Sequence, residues 1–323
     1  MNRPGDIFIT LAVICTAALS CAKENTESIL YSDVPVSFSA FGSWDEATET
    51  TKTAVSGNAT EFTAGDRIGV FAYHNDSSKP DFMNDQPVLY SGTAWGYSPR
   101  KYWPADQDGH LSFYAYWPYS EDSHGSIRMD GNGGAPALSY SNPEADIDLM
   151  VAAATNLTYA TSPDAVHLEF SHLLAKVNFA FTYEGDDGYR PVVHVLKYNI
   201  PHYEAVYNYK SNSWEDLDHT CTVVRHTAPE GVSIHDKGQI IPSFEAYLLP
   251  GGFPSSDGMT PGDFIISLNN IEYRYTTKEL VSLESGKRYT INFKIKAKTG
   301  GNYFITSFSM WEKGDKEWNA DLK

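Results

Sequence analysis

The sequence predicts an all-β protein of two tandem β-sandwich domains, and three observations carry that prediction. Apolar residues recur at every second position in many short segments. No segment longer than about ten residues spaces them as an amphipathic helix does. Tyr and Phe, which favour strands, number 21 and 16 in 323 residues. That length, with turns at sandwich-like spacing, suits two domains that each bury a core.

The elements follow in chain order. Val34, Val36 and Phe38 alternate with Pro35, Ser37 and Ser39, which suits one half-buried strand, and Pro35 points to a sheet edge because it has no N–H to donate. A soft stretch from Trp44 to Thr60, rich in Thr, Ser, Gly and Glu, precedes the turn Ala64-Gly65-Asp66 and the strand Arg67 to Tyr73. Leu111 to Trp117 is another strand, stopped by Pro118. Val166 to Phe170 and Lys176 to Phe181 are both strand-like, and Ser171 to Ala175 breaks the alternation between them, as a bulge or a crossing between domains does. Phe264, Ile266 and Leu268 pass through Asn269-Asn270 into Ile271, Tyr273 and Tyr275, a hairpin whose asparagines accept positive φ. Tyr289, Ile291, Phe293 and Ile295 alternate most clearly, and Tyr303 to Phe308 is a last short strand before Trp311. The turn Ser162-Pro163-Asp164 places the domain break just after it, giving domains over 33–166 and 167–323.

Ahead of the first strand lies an export signal. Arg3 precedes an apolar run from Ile7 to Leu19 and the small residue Ser20, the build of a signal peptide over residues 1–20. The run is about a dozen residues, against the roughly 20 of a membrane-spanning helix. Ala18-Leu19-Ser20-Cys21 fits a lipobox in which Cys21 becomes the acylated residue. The alternative is an ordinary secretory signal cut near Ser20, with Cys21 incidental. Residues 21–32, polar and acidic, then form the tether behind the lipid. Cys15 leaves with the signal and Cys21 takes the lipid. Cys221, within the apolar Cys221-Thr222-Val223-Val224, is a small buried residue, so no internal disulfide is expected.

A formal net charge of −17 argues against nucleic acid or an anionic membrane surface as a partner, because both require clustered cations. The ten histidines show no close metal-ligand spacing. Asp106-Gln107-Asp108-Gly109 resembles half a calcium loop, without the downstream glutamate that would complete it, and reads as a surface turn. No nucleophile elbow and no glycine-rich phosphate loop entering a helix occurs, and no carboxylate pair stands out. No enzyme and no cofactor is therefore expected. Trp95 and Trp103, with Tyr97 and Tyr102, are open to two readings: a platform for sugar rings, or aromatic packing in a sandwich core.

Several segments carry a family resemblance. They are Phe62-Thr63-Ala64-Gly65-Asp66-Arg67-Ile68-Gly69-Val70-Phe71, then Tyr102-Trp103-Pro104 leading to Phe113-Tyr114-Ala115-Tyr116-Trp117-Pro118, and Asp148-Leu149-Met150. Leu168-Glu169-Phe170-Ser171-His172-Leu173-Leu174-Ala175-Lys176-Val177 and Leu283-Glu284-Ser285-Gly286-Lys287-Arg288-Tyr289 follow, with Trp311 near the end. In this order the chain resembles the Bacteroidales fimbrillin family, lipoproteins that build surface fimbriae.

The resemblance implies two transthyretin-like β-sandwich domains and a structural, adhesive fimbrial subunit on the outer membrane and in the fimbrium. Its partners would be other fimbrial subunits, membrane lipid through acylated Cys21, and a surface receptor or glycan. In this family a trypsin-like protease cuts beyond the first strand, and a C-terminal strand of the next subunit fills the opened groove. Carried over, the removable strand holds Val34, Val36 and Phe38. Lys52 is the one basic residue of the soft stretch and the candidate cleavage site, or else a plain loop lysine. The donor strand would hold Tyr303, Ile305 and Phe308 and extend through Trp311.

Overall fold

Alternation becomes strand almost everywhere in the computed structural model, which describes residues 31–44, 59–105, 109–185, 188–200, 202–215, 222–234, 237–253, 263–277, 282–297, 303–312 and 318–320. The signal peptide, Cys21, Lys52, the Asp106–Asp108 turn and Cys221 lie outside the described residues. The first strands are β1 (Tyr31–Pro35), β2 (Phe38–Ser43), β3 (Ala59–Thr60), β4 (Arg67–His74), β5 (Met83–Tyr90), β6 (Trp95–Gly96) and β7 (Tyr102–Pro104). They are followed by β8 (Leu111–Trp117), β9 (Ile127–Asp130), β10 (Ala137–Ser141), β11 (Met150–Leu157) and β12 (Val166–His172). Next come β13 (Ala175–Tyr183), β14 (Val192–Ile200), β15 (Glu204–Asn208), β16 (Ser213–Glu215), β17 (Thr222–Ser233) and β18 (Ile241–Leu248). The last are β19 (Gly251–Gly252), β20 (Asp263–Leu268), β21 (Ile271–Thr276), β22 (Ser282–Leu283), β23 (Arg288–Ala297), β24 (Tyr303–Glu312) and β25 (Trp318–Ala320).

Eight strands in the order β3-β2-β12-β11-β8-β4-β5-β6 form one sheet, antiparallel except where β2 runs parallel to β12. The sheet curls into a nearly closed barrel around Phe38, Val70, Phe113, Leu168 and Phe170. Its two edges approach where Phe62 meets Trp95 edge to face, ring centroids 5.0 Å apart. Every residue from Ile68 to Tyr73 in β4 is buried, because the barrel's outer face is covered as well. A four-stranded sheet, β16-β15-β10-β9, packs there on Phe71, Tyr73 and Tyr116.

The C-terminal part is a sandwich. A five-stranded sheet, β18-β13-β23-β24-β25, in which β13 and β23 run parallel, faces the antiparallel sheet β17-β14-β20-β21. Phe179 and Phe181 from β13, Tyr198 from β14, Phe264 from β20 and Phe293 from β23 fill the space between them. The Asn269-Asn270 turn has both residues at positive φ, as its composition predicts.

Three expectations need correction. The single strand expected from Val34 to Phe38 is two strands, β1 and β2, because the backbone crosses from one sheet to another at Val36 and Ser37. The break expected between 166 and 167 falls later: β12 belongs to the barrel and β13 to the sandwich, so the crossing is at Leu173 and Leu174. β15, from the second half of the chain, pairs with β10, and β16 with β15, in the sheet that covers the barrel, so the two halves interlock.

Candidate functional site

The N-terminal segment laces the barrel's seam. Among the described residues β1 pairs with β7 alone, and β2 lies between β12 and the two residues of β3. The linking residues are bonded too. Val36 N–H donates to the Lys101 carbonyl at 2.9 Å and the Val36 carbonyl accepts the Tyr97 hydroxyl at 2.8 Å. The Ser37 carbonyl accepts the Val166 N–H at 2.8 Å, and the Ser37 hydroxyl donates to the Asp164 carbonyl at 2.6 Å. Val36 and Phe38, 3% and 6% exposed, reach the barrel core, with Val34 packed partly against it. The Phe38 ring meets Phe113 edge to face at 5.7 Å and Tyr97 at 5.6 Å. Alternation thus places all three apolar side chains inward even though the strand they were assigned to is broken.

At the other end of the chain, β24 pairs along its length with β23 and, among the described residues, on its far side with β25 over Phe308 to Met310. Tyr303 is buried in the C-terminal core and Ile305 packs partly against it. Asn269 Nδ2 donates to the Tyr303 hydroxyl at 3.1 Å, and Tyr303 N–H donates to the Tyr273 hydroxyl at 3.2 Å. Phe308 and Trp311 stand opposite Phe293 and Thr290 in the register.

The two tryptophans offered as a sugar platform separate. Trp103 is 2% exposed and packs on Phe113 inside the barrel, so it is a core residue and cannot present a face to a glycan. Trp95 is half-buried at the seam, against Phe62 and Tyr90. The neighbouring tyrosines are structural as well. Tyr97 holds Val36, and the Tyr116 hydroxyl donates to Asp85 Oδ1 at 2.7 Å. Burial pushes the Asp85 carboxyl above the usual carboxylate range, against the lowering effect of that hydrogen bond.

The sequence reading missed a cluster at the junction of the two halves. Trp44 ends β2's exit, His172 ends β12, Asp148 precedes β11 and Arg288 begins β23, and the four converge. No local spacing announces such a meeting, since it is made by topology. Among the described residues no three His, Cys, Asp or Glu side chains gather as a metal site.

What this geometry defines is an all-β protein in which strands near the two ends of the described chain are flanked by short partners, β2 by the two residues of β3 and β24 by the three of β25. The chain belongs to the fimbrillin-like family, whose model matches residues 25–307. The fimbrium subunit Fim1C of Phocaeicola vulgatus is 27% identical over 200 residues, a match covering 53% of this chain and 51% of that protein. The chain therefore aligns with about half the length of this curated relative. A crystal structure of a fimbrial protein from Bacteroides vulgatus is similar with a TM-score of 0.56 at 20% identity, over 86% of this chain and 98% of that one. A Bacteroides ovatus protein carrying a provisional cell-adhesion label gives a TM-score of 0.51 at 14% identity, over 86% and 98%. At these identities the likeness is one of fold. Family membership puts the chain among fimbrial structural proteins rather than enzymes.

Proposed function

We propose that the chain is a structural and adhesive fimbrial subunit, a tandem of transthyretin-like domains, brought to the outer membrane by lipid on Cys21 and assembled by strand exchange. The observation that supports it most is the N-terminal segment. Val36 and Phe38 fill the barrel core from a stretch of chain that lies just ahead of Lys52. A cut at Lys52 would free 21–52 to leave with its lipid, opening the β12 edge and an apolar groove beside Phe113 and Phe170. A strand entering that groove would gain main-chain hydrogen bonds from β12 and pockets for alternate side chains. β24 has suitable spacing, and donating it would withdraw Tyr303 and Ile305 from the C-terminal core, a loss offset by their burial in the next subunit. Repeated head to tail, the exchange gives an open filament. Other subunits and a surface receptor are its partners. A glycan contact at Trp95 and Trp103 is set aside because Trp103 lies in the core.

Trypsin treatment of the lipid-free chain tests this reading. A fragment ending at Lys52, accompanied by a ladder of oligomers, is expected. A chain cut at Lys52 that stays monomeric and keeps its N-terminal fragment overturns strand exchange.

A further inference from the structure

A cleft of about 340 Å³ opens where the covering sheet stops short of β12, between the outer face of β11 and β12 and the β15–β16 hairpin. Ala153 and Ser171 keep its floor low, and Tyr207 and Trp214 wall it. The wall is held in place: the indole N–H of Trp214 donates to the Leu173 carbonyl at 3.4 Å, and its ring meets Tyr207 edge to face at 5.6 Å. The Tyr207 hydroxyl donates to Asn212 Oδ1, which leaves the Asn212 amide N–H groups as donors toward a ligand. Glu169 adds an exposed carboxylate acceptor on the opposite side.

We infer that this cleft binds a neutral pyranose ring. A pyranose has an apolar C–H face, which stacks on aromatic rings, and an edge of hydroxyls that both donate and accept. The cleft supplies both halves: the half-buried Trp214 for the face, and Asn212, Glu169 and Ser171 for the edge, while Tyr207, itself 3% exposed, holds the indole in place. Its volume is at the small end of the range of about 300–1,000 Å³ for small-molecule sites, which suits a single ring. Among the described residues no Lys or Arg lines it and Glu169 does, which disfavours phosphates, sialosides and uronates. Phe41, 50% exposed, stands directly across from Glu169 in the β2–β12 ladder and offers a stacking surface for the next ring of an oligosaccharide. The inference goes beyond the fimbrial reading and stands without it.

Saturation-transfer NMR on the lipid-free chain with methyl α-D-mannopyranoside, methyl β-D-galactopyranoside and methyl N-acetyl-β-D-glucosaminide tests it. Transfer to the C–H face of at least one glycoside is expected. It should fall about tenfold in Ser171→Trp, which fills the floor, fall less in Glu169→Ala, and persist in Trp95→Phe. Ser171 and Glu169 are exposed, so both variants should melt with the wild type. Absence of transfer to all three glycosides overturns the proposal, as does transfer that survives Ser171→Trp. Stronger transfer to a methyl sialoside than to any neutral ring overturns the ligand class.

Discussion

The indole of Trp44 stacks on the imidazole of His172, with ring centroids 3.5 Å apart and planes 9° from parallel. The Arg288 guanidinium, from the C-terminal sandwich, lies 5.9 Å from the indole centre. The residue that leads into the Lys52 stretch is thus held by both halves of the molecule. Such a stack contributes about 0.5–1.5 kcal/mol beyond its buried area, and a partly exposed cation over a ring about 0.5–1 kcal/mol or somewhat more. Trp44→Ala should therefore speed tryptic cleavage at Lys52 by about tenfold, since cleavage follows the population of the opened segment. A digestion time course reads the rate directly, and Trp44→Phe should lie between the two. An unchanged rate would mean that the stack does not restrain the segment.

His172 is held from its other side by Asp148, whose Oδ2 lies 2.7 Å from His172 Nδ1 with both side chains nearly inaccessible. Asp148→Ala leaves a buried ring nitrogen without that carboxylate. A loss of about 2 kcal/mol in unfolding free energy is expected, read as a lower denaturant midpoint at constant slope. Asp148→Asn, which keeps an acceptor oxygen, should recover part of it.

The hairpin from the second half of the chain is fastened to the barrel by Tyr209, whose hydroxyl donates to the Ala115 carbonyl at 2.6 Å and whose ring meets Tyr114 edge to face at 5.5 Å. Tyr209→Phe removes one buried hydrogen bond and should cost about 1–2 kcal/mol. Tyr209→Ala also opens a cavity and should cost about 3–5 kcal/mol. If β15 and β16 were an independent part of the sandwich, the first change would leave the barrel's melting transition unmoved.

That hairpin shows where sequence reasoning stops. Ala205, Tyr207 and Tyr209 alternate inward like any half-buried strand, and period two reports which face of a strand is buried, never which sheet it joins. The same limit explains Val34, Val36 and Phe38: their inward facing was readable, while the change of sheet at Val36 and Ser37 was not. β23 was readable throughout, because Tyr289, Ile291, Phe293 and Ile295 stay in one ladder beside β13. The broken alternation at Ser171 to Ala175 does mark the crossing between halves, although the Ser162-Pro163-Asp164 turn drew the boundary too early. The sugar cleft had no local signature, since its walls come from segments about forty residues apart, Ser171 and Trp214, that meet only by packing.

Trp103 and Trp95 separate a core role from a surface role in one comparison. Trp103 is fully enclosed with Phe113, so Trp103→Ala should cost about 3–5 kcal/mol. Trp95 keeps part of its surface in water at the barrel seam, and Trp95→Ala should cost about half as much. Thermal unfolding of the two variants gives the ranking, and equal losses would contradict the burial difference.

His226 gives the C-terminal sandwich a pH dependence with a definite sign. Its Nε2 lies 2.9 Å from the Tyr198 hydroxyl and its ring stacks on Phe244 at 5.5 Å. Burial holds its pKa below the usual histidine value of 6.5, against a small opposing pull from Asp146. Above about pH 6.5 the ring is neutral in both folded and unfolded chains, and its contribution is constant. As pH falls below that value the unfolded chain binds the proton first, so stability declines until the folded-state pKa is passed and then levels off. His226→Gln keeps a hydrogen-bonding partner for Tyr198 and cannot titrate. The fall in melting temperature between about pH 7 and pH 5 should therefore be smaller in His226→Gln than in the wild type. A larger fall would mean that the proton is bound more tightly in the folded state, the opposite of what this burial produces.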